Sequence, residues 1–333
     1  MRGVRSVAVL AVAVALMVVA GCGSGGSTRA SSSSTSVSPS APHDWASVHI
    51  VAITHNGGED EFPSDTLYAL QQAHDLGMQV LDVDLQESKD GQPVLTHNDT
   101  LDARTSGHGP VANLTAEQLG QLDAAYWFVP GCGNCSGKPA SAYPYRGVRT
   151  GTRPLPAGAK RRADFGVPTL RQVFERFPDS VIDIELKPQS QTATTVAALI
   201  HEFHREKRTI VASFDDDQIA EFQKLAPTVA TSPGQKATTA FFLGKPLPAG
   251  FKVIQIPYKY ELSGQQVTVL TPAFVQRAHQ EGLAVWVWDE GGTPGAALYR
   301  ELVALHPDGI LGAKPGDLLH VLRATGTLWN GKS

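Results

Sequence analysis

VLDVDLQESKDGQPVLTH, residues 80–97, decides how the chain is read. Apolar residues alternate about Asp82 and Asp84, Asp90-Gly91 follows as a turn signal, and a second short apolar run closes on His97. Alternate residues of a strand face the same side, so the two aspartates share one face. An Asp-Gly pair between two such runs joins them directly as strands, with no helix between. The paired carboxylates repel one another unless a cation neutralises them. Side chains of the same chemistry stand on either side, with His55 in ITHNGG upstream and Glu185 and Lys187 in VIDIELK downstream.

Outward from this hairpin, runs rich in β-branched residues alternate with amphipathic segments. The strand-like runs are VHIVAITH, VLDVDLQ, PVLTH, SVIDIEL, TIVASF, TVATS, KVIQIP, LAVWVW and DGILG. Helix-like segments between them include DTLYALQQAHDLG, PTLRQVFERF, TATTVAALIHEFHREK, DDQIAEFQKL, TPAFVQRAHQEG and PGAALYRELVAL. Ser64 or Asp65 is the expected cap of the first, Thr271 with Pro272 opens a later one, and Gly77 and Gly282 occupy stop positions. This alternation predicts an α/β fold, a TIM-type (β/α)8 barrel, with a long insertion after the early hairpin. Its rival, a doubly wound open sheet, loses ground because no G-x-G-x-x-G follows the first strand. The insertion, residues 106–166, is rich in aromatics, Pro and Gly, and is expected to cap the strand ends.

The remaining sequence sets the context. Residues 1–22, MRGVRSVAVLAVAVALMVVAGC, read as a secretory signal whose last four residues resemble a lipobox, with Cys22 as the lipid-anchored residue. Residues 23–44 are a Ser/Gly/Pro tether with too few large apolar groups to fold, and residues 45–333 form the barrel. An exported, membrane-anchored lipoprotein on the extracytoplasmic face is the resulting expectation. The net charge of −4, with both signs interspersed, gives no footprint for nucleic acid. Cys132 and Cys135 in PGCGNCSG are an even pair suited to a local disulfide, although C-x-x-C spacing also serves zinc or redox chemistry.

Three oxygen donors, Asp82, Asp84 and Glu185, suit a hard divalent cation, Ca²⁺ or Mg²⁺. Such an ion polarises a phosphate oxygen. Histidine titrates near neutrality, so one of His55 and His97 can accept a proton while the other donates one. Gly57 and Gly58 leave backbone room for a ligand beside His55. The acidic run Glu59, Asp60 and Glu61 is a place for a cationic head group, a further metal contact or a solvated loop.

The set resembles the glycerophosphodiester phosphodiesterase family. Its pattern opens H-R-G-[GA], continues P-E-N-T, E-x-D, a K-D-G-x-x-V-x-x-H-D block and E-x-K. The corresponding stretches here are HNGG from His55, PSDT from Pro63, DVD from Asp82, SKDGQPVLTHN to Asn98, and ELK from Glu185, with further likeness in SFDDDQIAEFQKLAP, in VWVW ending at Trp288, and in DGILGAKP. The resemblance implies a barrel that uses a divalent cation to hydrolyse a glycerophosphodiester, a small or lipid-derived molecule, to an alcohol and glycerol 3-phosphate. It makes His55 and His97 the acid/base pair and Asp82, Asp84 and Glu185 the metal ligands. Asn56, Lys187 and Trp288 fall at substrate-binding positions. Asn56 stands where the family has an arginine, Asp82 where it has Glu, Ser64-Asp65 where it has Glu-Asn, Asn98 where it has Asp, and Gly312-Ala313 where it has Thr-Asp. Other readings are a sphingomyelinase D or phospholipase C-like barrel and a catalytically silent, surface-binding lipoprotein.

Overall fold

The runs expected to be strands are strands, and most are buried on both faces, as parallel strands sandwiched by helices must be. The computed structural model describes residues 49–330 except 189 and 263, so the expected signal, Cys22 and the tether lie outside the described residues. Eight parallel strands follow one another around the ring: β1 (Val51–Thr54), β2 (Val80–Glu87), β6 (Val181–Leu186), β7 (Thr209–Ala212), β8 (Ala230–Thr231), β9 (Val253–Pro257), β12 (Ala284–Trp288) and β13 (Gly309–Gly312). β3 (Pro93–Leu95) pairs antiparallel with β2, Leu85 opposite Leu95, as the Asp90-Gly91 turn requires. Between β8 and β9 the ring is joined by Lys252 N–H donating to the Thr231 carbonyl at 3.3 Å and Gln255 N–H to Ser232 Oγ at 3.1 Å. The expected barrel is therefore the observed one.

Helices cover the outside: α1 (Leu67–Leu76), α3 (Leu170–Arg176), α4 (Ala193–Glu202), α5 (Asp216–Leu225), α6 (Gln235–Phe242), α7 (Pro272–Gln280), α8 (Ala296–Val303) and α9 (Pro315–Thr325). Their apolar faces and the outward strand residues make one core, from Ile50 to Leu322. The inward residues make a second, Val51, Ile53, Val80, Ile210, Val253, Ala284, Trp286 and Leu311, which fills the barrel. The first cap is Thr66 rather than Ser64 or Asp65: its Oγ1 accepts from Ala69 N–H at 3.1 Å, while Asp65 turns the chain at φ 55°. Thr271 with Pro272 opens α7 as expected, and Gly77 closes α1 at φ 100°. Helices α6 and α9 and the hairpin β10 (Lys259–Leu262) with β11 (Gln265–Thr268) were not among the sequence expectations.

The stretch 106–166 holds α2 (Ala116–Gln121), the small hairpin of β4 (Phe128–Val129) and β5 (Gly133–Asn134), and the Cys132–Cys135 disulfide. Tyr145 and Phe165 pack on Tyr68 of α1, with ring centroids 5.4 and 4.5 Å apart, and Arg146 stacks over Tyr126 and Tyr143. Gly131 N–H donates to the Asp60 carbonyl at 2.7 Å and Asn134 Nδ2 to Ser64 Oγ at 3.0 Å. These contacts buttress the loop after β1 from the side.

Candidate active site

The inward face of each strand changes character toward its C-terminal end. On β2 it runs Val80, Asp82, Asp84, and on β6 Val181, Asp183, Glu185. The register sets Asp82 beside Asp183 and Asp84 beside Glu185, so four carboxylates form a two-by-two patch on neighbouring strands. Asp183 is a member that sequence reading missed, although its spacing from Glu185 in VIDIE places both on one face. Gln255 Nε2 donates to both Asp183 oxygens at 2.9 Å. Burial, reinforced by Glu185 and Asp84, pushes the Asp183 carboxyl up to about 7.

Lys187 sits against this patch, its Nζ 2.9 Å from Asp84 Oδ1 and 2.7 Å from Glu185 Oε1. Burial opposes charge on Asp84, but Lys187, together with His97 and His55, outweighs it and holds the carboxyl below its usual range. Glu185 goes the other way, to about 7, through burial and the Asp84 charge. Asp82 is raised well above its usual range by burial and by Asp183 and Asp84, although Asn56 N–H donates to its Oδ2 at 2.9 Å. Asp65 is buried with neither carboxylate oxygen hydrogen-bonded, and burial with Asp84 lifts it to about 8.

This negative excess, and the buried Asp84 Oδ2 without a hydrogen-bond partner, fit a hard cation in donor type and charge. The donors do not converge as a finished cage. Among the described residues no three His, Cys, Asp or Glu side chains are grouped closely enough to hold a metal, and the Lys187 ammonium lies against both Asp84 and Glu185.

The two histidines end β1 and β3, on the same rim. His55 Nδ1 lies 3.4 Å from Asp289 Oδ1 and 3.5 Å from Glu59 Oε1. Asp289 is fixed in turn by Tyr299 Oη and Ala313 N–H, each donating to its Oδ2 at 3.0 Å. Burial pulls His55 down, but Glu59 and Asp289 together raise it to about 10. Sequence reading missed Asp289; the acid directly after VWVW, at a strand end, was the available signal. His97, exposed at the rim, is shifted oppositely: partial desolvation of its ring lowers it, aided by Lys187 and Arg104 and opposed by Asp84. One histidine is thus held protonated and the other neutral at pH 7.

The loop between His55 and α1 is shaped by close approach. Gly58 has φ 92°, and a Cβ there would meet Pro315 Cγ at 2.5 Å, so no larger residue fits. Each acid of the 59–61 run has an internal partner: Glu59 meets His55, Asp60 lies 3.9 Å from Lys314 Nζ, and Glu61 Oε2 accepts from Gly316 N–H at 3.0 Å. Asn56 brings no charge to the site where the resemblance expected an arginine. A guanidinium does lie between the two histidine loops, from Arg104, whose Nε donates to Asn98 Oδ1 and Nη1 to Ser64 Oγ, both at 2.9 Å.

A cavity of about 550 Å³ opens over the patch and is lined by His55, Asn56, Asp82, Asp84, His97, Glu185 and Trp288. It therefore collects every expected site residue but Lys187, which lies beneath the lining. Among the described residues lining it none comes from 106–166. The arrangement offers an anionic floor for a cation, an acid and a base on one rim, and room for a phosphodiester.

The chain matches the model of the Glycerophosphoryl diester phosphodiesterase family over residues 55–311. A glycerophosphodiester phosphodiesterase of Caldanaerobacter subterraneus subsp. tengcongensis is 27% identical over 183 residues, which are 53% of this chain and 63% of that protein. The chain thus spans less than two thirds of the length of that curated relative. Human glycerophosphodiester phosphodiesterase 1 is 41% identical over 76 residues, 23% of each chain. Among solved structures, a glycerophosphodiester phosphodiesterase from Agrobacterium tumefaciens superposes with a TM-score of 0.60 at 21% identity, covering 82% of this chain and all of that one. An Oleispira antarctica phosphodiesterase in complex with the product sn-glycerol-3-phosphate gives 0.59 at 19% identity, covering 84% and 99%. These structures share the fold.

Proposed function

The chain belongs to the glycerophosphoryl diester phosphodiesterase family, and on that premise we propose that it hydrolyses a glycerophosphodiester to an alcohol and glycerol 3-phosphate by two-histidine acid/base catalysis. The observation that carries this reading is the opposite protonation bias of His55 and His97 on the rim of one acid-floored cavity. The Oleispira relative's product, sn-glycerol-3-phosphate, is the product expected here.

A divalent cation, Ca²⁺ or Mg²⁺, held by Asp82, Asp84 and Glu185 would neutralise the floor and draw charge from a phosphate oxygen. Lys187 supplies a fixed positive charge beside the same carboxylates. Neutral His97 takes a proton from the attacking oxygen as it bonds to phosphorus, the oxygen being that of water, or that of the substrate's own glycerol hydroxyl with water opening the cyclic phosphate in a second step. The bond from phosphorus to the alcohol oxygen then breaks. His55, with Nδ1 held by Asp289 and Glu59, delivers the proton on Nε2 to the departing oxygen. Export and anchoring through Cys22 belong to the same proposal and rest on residues 1–22.

The test is release of glycerol 3-phosphate from glycerophosphocholine, glycerophosphoethanolamine and glycerophosphoglycerol with either cation. Release should be lost on chelation, and His55→Ala and His97→Ala should each lower the rate by roughly 10²- to 10⁴-fold. No release from the whole panel with either metal overturns the reading.

A further inference from the structure

A guanidinium is held between the two histidine loops, and no step of the chemistry above uses it. Arg104 lies in the turns that follow β3, and its side chain is 17% exposed. Its Nε donates to Asn98 Oδ1 and its Nη1 to Ser64 Oγ, both at 2.9 Å, and the same Nη1 stands 3.7 Å from Glu59 Oε2. Asn98 follows His97 directly in the chain, on the β3 side. Glu59 belongs to the β1 side, where its other oxygen, Oε1, lies 3.5 Å from His55 Nδ1. One planar group therefore spans the loop of the proposed base and the loop of the proposed acid. Ser64 Oγ accepts from Asn134 Nδ2 as well, at 3.0 Å, so the hairpin of β4 and β5, with its Cys132–Cys135 disulfide, holds the same point.

Both hydrogen bonds of this arginine go to neutral oxygens, and the Glu59 oxygen stands beyond hydrogen-bond reach, a weak ion pair. What the guanidinium contributes is shape, because its donors leave a rigid plane in fixed directions and keep the groups they bond at a set separation. Among the described residues that line the cavity Arg104 is absent, so it acts through its neighbours rather than on a ligand. Asn98 and Ser64 are both positions where the chain departs from the family pattern, so the pattern itself does not supply this crosspiece. Transfer of one proton from the attacking oxygen and another to the departing one needs the two rings at a fixed spacing, and a misplacement of about 1 Å can cost roughly 100-fold.

We propose that Arg104 is a positioning residue for the reaction, setting the spacing of His97 and His55 by tying Asn98 to Ser64 and Glu59. The inference rests on the proposed function and adds to it a residue that works from behind the two rings.

The test compares Arg104→Gln, Arg104→Lys and Arg104→Ala with the unmodified full chain, on the glycerophosphodiester it turns over fastest, with Mg²⁺ or Ca²⁺. Arg104→Gln should lower kcat by roughly 10- to 100-fold with KM little changed. The acid limb of its kcat/KM profile should move to higher pH, since Arg104 helps Lys187 to lower His97 against the pull of Asp84, and both of those remain. Arg104→Lys keeps the charge but not the fork, so it should lose kcat while holding the limb in place. Millimolar guanidinium should restore part of kcat to Arg104→Ala, and sodium at the same concentration should not. A KM that rises with kcat unchanged makes Arg104 a substrate-binding residue and overturns the proposal. A fall in kcat with the limb unmoved in Arg104→Gln and no rescue by guanidinium marks a merely structural arginine and overturns it too. If the unmodified chain hydrolyses nothing, the hydrolytic reading falls alone, and the ring-proton NMR lines of His55 and His97 decide the matter of spacing. Broadened or doubled lines of both rings in Arg104→Lys support the crosspiece, and lines as sharp as in the unmodified chain overturn it.

Discussion

His55 and His97 are the same residue type with opposite tendencies, and neighbours rather than identity set the difference. Glu59 and Asp289 lift His55 to about 10, while His97 falls below the ordinary histidine value. The proposed base, His97, is therefore already neutral, and the proposed acid, His55, still protonated, across the neutral range. The expected kcat/KM profile rises on a limb below pH 6.5, where His97 loses its proton, stays level, and falls near pH 10 as His55 deprotonates. Stability carries the same sign for His55: its charge stabilises the fold fully below its unfolded value of 6.5, and that contribution is lost as pH rises through about 10. Glu59→Gln removes the largest raising influence and should move the alkaline limb to lower pH. A descending limb unmoved in that variant would show that Glu59 does not govern the acid.

At the scale of elements, β2 and β6 carry the carboxylate patch because parallel pairing aligns Asp82 with Asp183 and Asp84 with Glu185. The carboxylate patch needs positive charge to persist, and Lys187 supplies part of it from the end of β6. Lys187→Met strands the buried Asp84 and the partly buried Glu185 carboxylates and should cost about 3 kcal/mol in a chelator. Millimolar Mg²⁺ or Ca²⁺ should recover much of that loss, measured as the shift in urea midpoint with and without metal. A loss that neither cation reduces would count against Asp84 and Glu185 as ligands. Helix α1, which packs beside this patch, depends on Thr66, and Thr66→Ala should lower stability by about 1 kcal/mol in the same titration.

For the whole molecule, closure of the ring brings β12 next to β13 and sends Trp286 into the barrel interior with Ile53, Ile210 and Leu311. Gly309 leaves the space it needs, since a Cβ there would stand 2.6 Å from Trp286 Cδ1. Trp286→Ala empties the middle of the barrel and should cost about 3–5 kcal/mol, read from chemical denaturation. The periodicity of residues 80–97 and of the runs around them was enough to derive the strands, the early hairpin and the barrel, because alternation and turn chemistry are local properties. The same locality placed His55, Asp82, Asp84, His97 and Glu185 at strand ends. What no local pattern contains is contact between distant strands. Asp289 beside His55, Asp183 beside Asp82 and Gln255 beneath Asp183 are neighbours only once the ring closes. Sequence alone determined on which strands, and on which face of them, the candidate groups lie. Tertiary structure decided which histidine keeps its proton, because burial and charge at a site are sums over residues brought together from the whole chain.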